Sequence, residues 1–179
     1  MDNLIKEVLF SKEEISNKVK ELAEQINNDY KGKKVLCIGI LKGSVVFLSD
    51  IIRELKGEVE IDFMAVSSYG NSTTSSGIVR ILKDLNYDIE GRDVVIIEDI
   101  IDTGVTLKYL CEYLTARKPN SLKICCLLDK PERRKADIKA DYIGFQIPDY
   151  FVVGYGIDYA EMFRQLPYIG VPKEEVYTK

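Results

Sequence analysis

Histidine is missing altogether from the 179-residue chain, and with it go the commonest general base and the commonest metal ligand. Ser-His-Asp and Cys-His catalysis are thereby excluded, and any acid–base step falls to Asp, Glu, Lys or Tyr. Cysteine is sparse: Cys37, Cys111, Cys125 and Cys126 lack the paired C-x-x-C spacing of a zinc site. Three of the four lie in apolar runs, Leu36-Cys37-Ile38 and Ile124-Cys125-Cys126-Leu127, where a free thiol behaves as a small core residue. That usage suits a reducing cytosol. No stretch approaches the ~18 apolar residues of a membrane span, and Asp2 to Glu14 mixes charged with apolar residues where a secretory segment would be apolar. The expectation is a cytoplasmic protein with no membrane partner. Positive charge is not in excess either. Lys and Arg total 25 against 29 Asp and Glu, a net −4 with a pI near 5.1, which supplies no basic field for a phosphate backbone and argues against a nucleic-acid partner.

What is present describes a compact α/β chain. A length of 179 residues that are 46% hydrophobic and 30% charged buries roughly 70% of its unfolded surface without metals or disulfides, so residues 1–179 read as a single domain. Ser11-Lys12-Glu13-Glu14 is a capping-box pattern, followed by Ile15, Val19, Leu22 and Ile26 at helical spacing. A strand over Lys34 to Leu41, a helix with Val45, Phe47, Leu48, Ile51, Ile52 and Leu55 inward, and a strand over Val59 to Val66 come next. Ser67 to Gly77 is polar and aperiodic, a loop. Then come strands over Ile78 to Leu85 and Asp93 to Asp99, a helix from about Val105 to Arg117, strands over Leu122 to Leu128 and Tyr142 to Ile147, and a short strand near Phe151 to Val153. Alternating strands and helices predict a mostly parallel sheet with helices on its faces.

Ligands of such sheets bind beyond the carboxyl ends of the strands. One strand exit stands out, Val94-Val95-Ile96-Ile97-Glu98-Asp99-Ile100-Ile101-Asp102-Thr103-Gly104-Val105-Thr106. Backbone N–H groups from Thr103 to Thr106, two hydroxyls and a helix N-terminus form a nest for a phosphate, with Gly104 permitting close approach. Glu98 and Asp99 can hold vicinal sugar hydroxyls or a hydrated magnesium ion, and Asp102 is free to act as acid or base. An ordinary turn with Asp102 or Thr103 as helix cap would explain Asp-Thr-Gly, but not two acids at the exit of a sheet. G-x-x-x-x-G-K-[ST] is absent, and Gly154-Tyr155-Gly156 does not complete G-x-G-x-x-G.

This run resembles the phosphoribosyl-pyrophosphate motif of the type I phosphoribosyltransferase family, and Glu-Asp-Ile-Ile-Asp-Thr-Gly is similar to its 6-oxopurine, hypoxanthine-guanine branch. Further matches follow in order over residues 35 to 165. Leu41-Lys42-Gly43-Ser44 resembles the pyrophosphate loop, which implies that Lys42 and Gly43 hold the leaving group. Ser68-Tyr69 is similar to the start of the loop that closes over the reacting centre. Asp129-Lys130-Pro131 implies that Lys130 donates to the purine 6-oxo group. Pro148 to Asp158 resembles the base-binding segment, with Phe151 stacking on the purine, Val152 and Asp158 offering carbonyls to its edge, and the Asp158 carboxylate joining Glu98 and Asp99 as magnesium ligands. Arg164, six residues on, would grip pyrophosphate. The sequence departs from the family at Ser44, where many members have a second Gly, and at Val105, where some carry Lys, so its phosphate nest relies on backbone and hydroxyls.

The resemblance implies the type I phosphoribosyltransferase fold, with a small hood subdomain built from the chain ends. It implies Mg²⁺-dependent transfer of a 5-phosphoribosyl group from phosphoribosyl pyrophosphate to hypoxanthine or guanine, releasing pyrophosphate, in a homodimer or homotetramer. Asp102 would exchange a proton with the purine's imidazole ring. Two other readings stay open: a preference for xanthine, and a regulator of this fold that binds nucleic acid, against which the charge of −4 and the intact Asp102 both speak.

Overall fold

A computed structural model describes residues 1–68 and 79–178 of the chain. Ser67-Ser68 continues a strand, and Tyr69 with the remainder of the polar loop lies outside the described residues, as does the predicted loop-closure role of Ser68 and Tyr69.

The first strand, β1 (Ile5–Phe10), leads into helix α1 (Lys12–Asp29). Its start is the predicted capping box: the Glu14 N–H donates to Ser11 Oγ at 3.3 Å and the Ser11 N–H donates back to Glu14 Oε2 at 2.8 Å. Ile15, Val19, Leu22 and Ile26 are buried, as their spacing requires. Strand β2 (Val35–Leu41), helix α2 (Val45–Glu54), β3 (Val59–Ser68), β4 (Val79–Lys83) and β5 (Asp93–Ile101) follow, then helix α3 (Val105–Thr115), β6 (Ser121–Asp129), β7 (Tyr142–Gln146), β8 (Ile169–Pro172) and a short helix α4 (Glu174–Tyr177).

Six strands form one sheet in the order β4-β3-β2-β5-β6-β7, parallel except for β4, which runs antiparallel to β3. Alternate residues of the central strands supply two cores. Cys37, Val95, Ile97, Cys125 and Leu127 face α1 and α2, whereas Leu36, Ile38, Val94, Ile96 and Cys126 face α3 through Leu107, Leu110 and Leu114. Covering on both faces is what a parallel sheet demands. Burial also pushes the Cys37 thiol up to about 12, so it packs and does not react. Among the described residues, no helix is long and apolar enough to cross a membrane.

The chain ends meet in a second sheet: β1 and β8 pair antiparallel, from Ile5 opposite Pro172 to Phe10 opposite Ile169. A third apolar cluster, Val153, Phe163 and Leu166 with Leu4, Ile5 and Tyr168 against it, lies beneath this hood. Neither strand is signalled by alternation, because each is short and their partners are at opposite ends of the sequence. Two further expectations are corrected. The segment near Phe151 to Val153 is not a strand; it contributes an isolated bridge, Val153 to Gly170, because Gly154, Tyr155 and Gly156 all take positive φ and turn the chain away. And β5 does not end at Asp99 but runs to Ile101, since it stays paired with β6 as far as Ile101 opposite Asp129.

That last difference positions the site. On its other side, β5 loses β2 after Ile97 opposite Gly39. From Glu98 onward the strand is therefore half-open. From β2 the chain steps outward to β3, and from β5 it steps the opposite way to β6, so the gap between the ends of β2 and β5 is the topological switch point where ligands of such sheets bind.

Candidate active site

A cavity of about 250 Å³ opens at this switch point, lined by Ile40 and Leu41 from β2, by Glu98 from β5, and by Asp102, Thr103, Gly104 and Thr106 from the turn into α3. Gly104 sits at the cap position with φ 78°, so the plain alternative of Asp102 or Thr103 as the cap is not what the chain adopts. A Cβ at Gly104 would come within 2.6 Å of Ile138. The turn is braced from outside, because Lys135 and Ala136 donate their N–H groups to Thr103 O (2.9 and 3.1 Å) and Arg134 Nη1 donates to Asp102 O (2.9 Å). What remains is a rigid turn whose N–H groups, with the start of an eleven-residue helix, offer positive potential to an anion.

Glu98 and Asp99 leave the half-open strand on different sides of this gap. Glu98 lines the cavity, and Asp99 is buried against the β2–α2 turn, where its Oδ2 would lie 1.8 Å from a Cβ at Gly43. Desolvation raises both carboxyls from their ordinary values, Glu98 well above its own, and the neighbouring Asp99 charge adds to the rise at Glu98. An acid whose folded pKa is raised binds more protons folded than unfolded, so stability is highest at low pH and falls as pH climbs from the unfolded value through the folded one. In the metal-free protein at neutral pH, Glu98→Gln is therefore expected to raise the melting temperature by a few degrees, at about 2–4 °C per kcal/mol relieved, while impairing catalysis. A lower melting temperature would contradict the burial argument.

Gly43 is the hinge of the pyrophosphate-loop candidate. It is pressed between Asp99 and Gly156, whose own Cβ would meet Gly43 O at 2.2 Å. Ser44 occupies the cap position of α2, yet its hydroxyl donates to Ile40 O at 2.7 Å and caps nothing. The Leu41–Lys42 peptide bond is cis. Gly43→Ala is expected to displace Asp99 or the loop and lower turnover on the order of 10²-fold, the effect of an ångström-scale misplacement, with the circular-dichroism spectrum of the fold retained. Wild-type turnover would show that the contact has no functional weight.

From the far side, Arg164 Nη1 donates to Gly156 O (2.8 Å) and Nη2 pairs with Asp158 Oδ1 (2.8 Å). The Arg164 charge also acts on Asp99, holding its rise down. The loop at Lys42 and Gly43, the acids of β5 and the segment 156–164 are thus one neighbourhood. Among the described residues no three acidic or cysteine side chains cluster as a ready metal cage, and the Asp158 carboxylate is engaged by Arg164. The donor chemistry nevertheless fits magnesium, which keeps most of its waters and takes one or two carboxylates plus substrate phosphates. Asp99 is buried and Glu98 partly so, neither has a cationic side chain paired to it among the described residues, and a divalent ion answers that want.

Lys130 is 7% exposed. Its N–H is tied to Ile101 O (2.9 Å) and its ammonium lies 3.6 Å from Asp149 Oδ1. Asp149 Oδ2 in turn accepts from Arg133 Nη1 (3.0 Å), whose Nε donates to Asp102 Oδ1 (2.6 Å). A chain of alternating charge therefore connects Lys130 to Asp102. Val152 is buried, and the half-exposed Phe151 ring meets Tyr159 edge-on at 5.5 Å and Tyr177 at 4.8 Å.

Comparison with known proteins supplies the family. Residues 8–160 match the model of the Phosphoribosyl transferase domain. The chain belongs to the phosphoribosyl transferase domain family. It is 58% identical to the hypoxanthine-guanine phosphoribosyltransferase of Bacillus subtilis over 177 residues, covering 99% of this chain and 98% of that one. It is 57% identical to the enzyme of that name from Staphylococcus aureus, with 99% of both covered. A crystal structure of a hypoxanthine phosphoribosyltransferase from Staphylococcus aureus superposes with a TM-score of 0.97 at 57% identity, covering 100% of this chain and 97% of the other. The Bacillus anthracis hypoxanthine-guanine phosphoribosyltransferase gives 0.91 at 53%, with 94% and 99% covered.

In this phosphoribosyl transferase domain, four partners escaped sequence reasoning: Arg133, Asp149, Glu161 and Tyr177. Arg133 follows Lys130 closely in the Asp129-Lys130-Pro131-Glu132-Arg133 run, the one signal that could have found it. Asp149 lies within the Pro148 to Asp158 run without a role of its own there, and Glu161 and Tyr177 reach the site from positions with no local pattern.

Proposed function

We propose that the chain transfers a 5-phosphoribosyl group from phosphoribosyl pyrophosphate to hypoxanthine or guanine in the presence of Mg²⁺, giving IMP or GMP and pyrophosphate, a purine-salvage reaction. The observation that carries this is the convergence, at one switch point, of an anion-binding turn, two adjacent acids at the open end of β5 and a loop carrying Lys42, in a chain whose relatives bear that activity in their names. We read residues 1–179 as one catalytic domain working in the cytoplasm, which suits four unpaired cysteines. The family resemblance also implies a homodimer or homotetramer, which sedimentation would resolve.

In this reading the turn Thr103 to Thr106 holds the 5-phosphate through backbone N–H groups and the two threonine hydroxyls. Glu98 and Asp99 face the ribose hydroxyls. Lys42, the Gly43 backbone and Arg164 hold the diphosphate, whose departure leaves the ribose carbon cation-like; fixed positive groups aimed at the leaving anion stabilise that transition state. Oxygens of Glu98, Asp99 and Asp158 would hold magnesium, which when bound would supply further positive charge to the diphosphate. Phe151 stacks on the purine, Val152 and Asp158 present carbonyls to its edge, and Lys130 donates to the 6-oxo group. Asp102 takes or returns the proton of the imidazole-ring nitrogen as its neighbour attacks. The Arg133 contact keeps the Asp102 carboxylate oriented for that exchange.

The test is product analysis. With phosphoribosyl pyrophosphate, hypoxanthine and Mg²⁺, IMP and pyrophosphate are expected in equal amounts, and chelation with EDTA is expected to abolish both. Full turnover without a divalent ion would remove Glu98, Asp99 and Asp158 from the metal role.

A further inference from the structure

Assigning Lys42 and Arg164 to the diphosphate leaves one carboxylate without a part. Glu161 Oε1 lies 3.1 Å from Lys42 Nζ, and Glu161 Oε2 lies 3.4 Å from Arg164 Nη2. One anionic side chain thus spans both cations. The backbone around it is unusual: Ala160, Glu161 and Phe163 have φ of 50°, 63° and 78°, a region that residues other than glycine seldom enter. Such outliers persist where surrounding contacts over-determine them. Here the Glu161 N–H donates to Asp158 Oδ2 at 2.9 Å, Tyr159 and Met162 exchange backbone hydrogen bonds of 3.2 and 2.9 Å, and Phe163 is fully buried. Glu161 is therefore presented from a fixed turn, and is not a loose surface acid that happens to touch a lysine.

Two observations say that this arrangement is provisional. The Lys42 and Glu161 side chains are 66% and 65% exposed, and pairs so exposed are weak and easily exchanged. The Arg164 Nε is buried with no hydrogen-bond partner among the described residues, so Glu161 does not satisfy the whole of the guanidinium it faces.

We propose that Glu161 is a stand-in for the pyrophosphate anion: it holds Lys42 and Arg164 in place before the ligand binds, is displaced by the diphosphate, and by repelling it speeds its release. It is a positioning residue, not a catalytic one. This inference rests on the pyrophosphate reading of Lys42 and Arg164.

Titration calorimetry of the full chain with inorganic pyrophosphate and Mg²⁺ separates the two. Glu161→Gln keeps the size of the side chain and removes its charge, and is expected to bind pyrophosphate roughly three- to tenfold tighter than wild type, as loss of one exposed like charge allows. KM for phosphoribosyl pyrophosphate falls in parallel while KM for hypoxanthine stays unchanged, and Glu161→Asp returns toward wild type. A merely structural lesion would weaken binding, so the direction of the change is decisive; Glu161→Ala provides a second variant with the same expected sign. If wild type binds pyrophosphate and both variants bind it equally or less well, the stand-in role is overturned and the site reading survives. If wild type shows no pyrophosphate binding, the reading beneath it falls too.

Discussion

Asp102→Asn is expected to lower turnover with saturating phosphoribosyl pyrophosphate and hypoxanthine by about 10²- to 10⁴-fold, the usual share of a positioned acid–base group. The substitution isolates the proton. An amide oxygen can still accept from Arg133 Nε, which lies 2.6 Å from Asp102 Oδ1, and Arg134 continues to brace the Asp102 carbonyl at 2.9 Å. The turn should therefore stay in place, and KM for phosphoribosyl pyrophosphate should move by no more than a few-fold. The loss belongs in kcat, as expected for an interaction made in the transition state. An unchanged kcat would remove Asp102 from the chemistry. A large rise in KM alone would make it a binding residue.

Lys130→Ala is expected to collapse the choice of base. A site built to hydrogen-bond one group of a substrate rejects the analogue lacking it by about 10⁴- to 10⁵-fold. Adenine offers an amino donor to the Lys130 ammonium where hypoxanthine offers an oxygen acceptor. The ammonium is nearly buried, beside Asp149 at 3.6 Å, so a mismatched donor cannot retreat to water. Truncation should lower kcat/KM for hypoxanthine and reduce its advantage over adenine by on the order of 10²-fold. Since the Lys130 N–H remains bonded to Ile101 O and Asp149 keeps Arg133, the loop should hold its shape. An undiminished preference would place the reader of the base elsewhere.

The turn that carries Asp102 stands out in the sequence as a candidate site because its features are local, whereas Lys130 is singled out only by the family resemblance. Glu98 to Thr106 is one uninterrupted stretch in which strand, acids, turn and helix start follow each other, so residue order alone reports the geometry. The capping box at Ser11 and the face Ile15, Val19, Leu22 and Ile26 are local in the same way. What stayed hidden depends on distant pairing. Whether β5 stops at Asp99 or continues to Ile101 is decided by β6, and the hood forms from strands at opposite ends of the chain. Arg133 meets Asp102 across 31 residues, and Lys42 meets Glu161 across 119. The crowding of Gly43 by Asp99 and Gly156 likewise exists only once the sheet has brought two loops and the end of β5 together. The apolar run Phe151-Val152-Val153 predicts a short strand, while the positive-φ turn at 154–156, which overrides that pattern, has only its glycines to announce it.

A site that joins a phosphoribosyl group to a 6-oxopurine must also choose among the bases. Steady-state turnover with phosphoribosyl pyrophosphate and Mg²⁺, measured separately with hypoxanthine, guanine, xanthine and adenine, tests both most directly. Hypoxanthine and guanine are expected to turn over and adenine is not; turnover of adenine, or of none of the four bases, would show that the site does not carry this reaction.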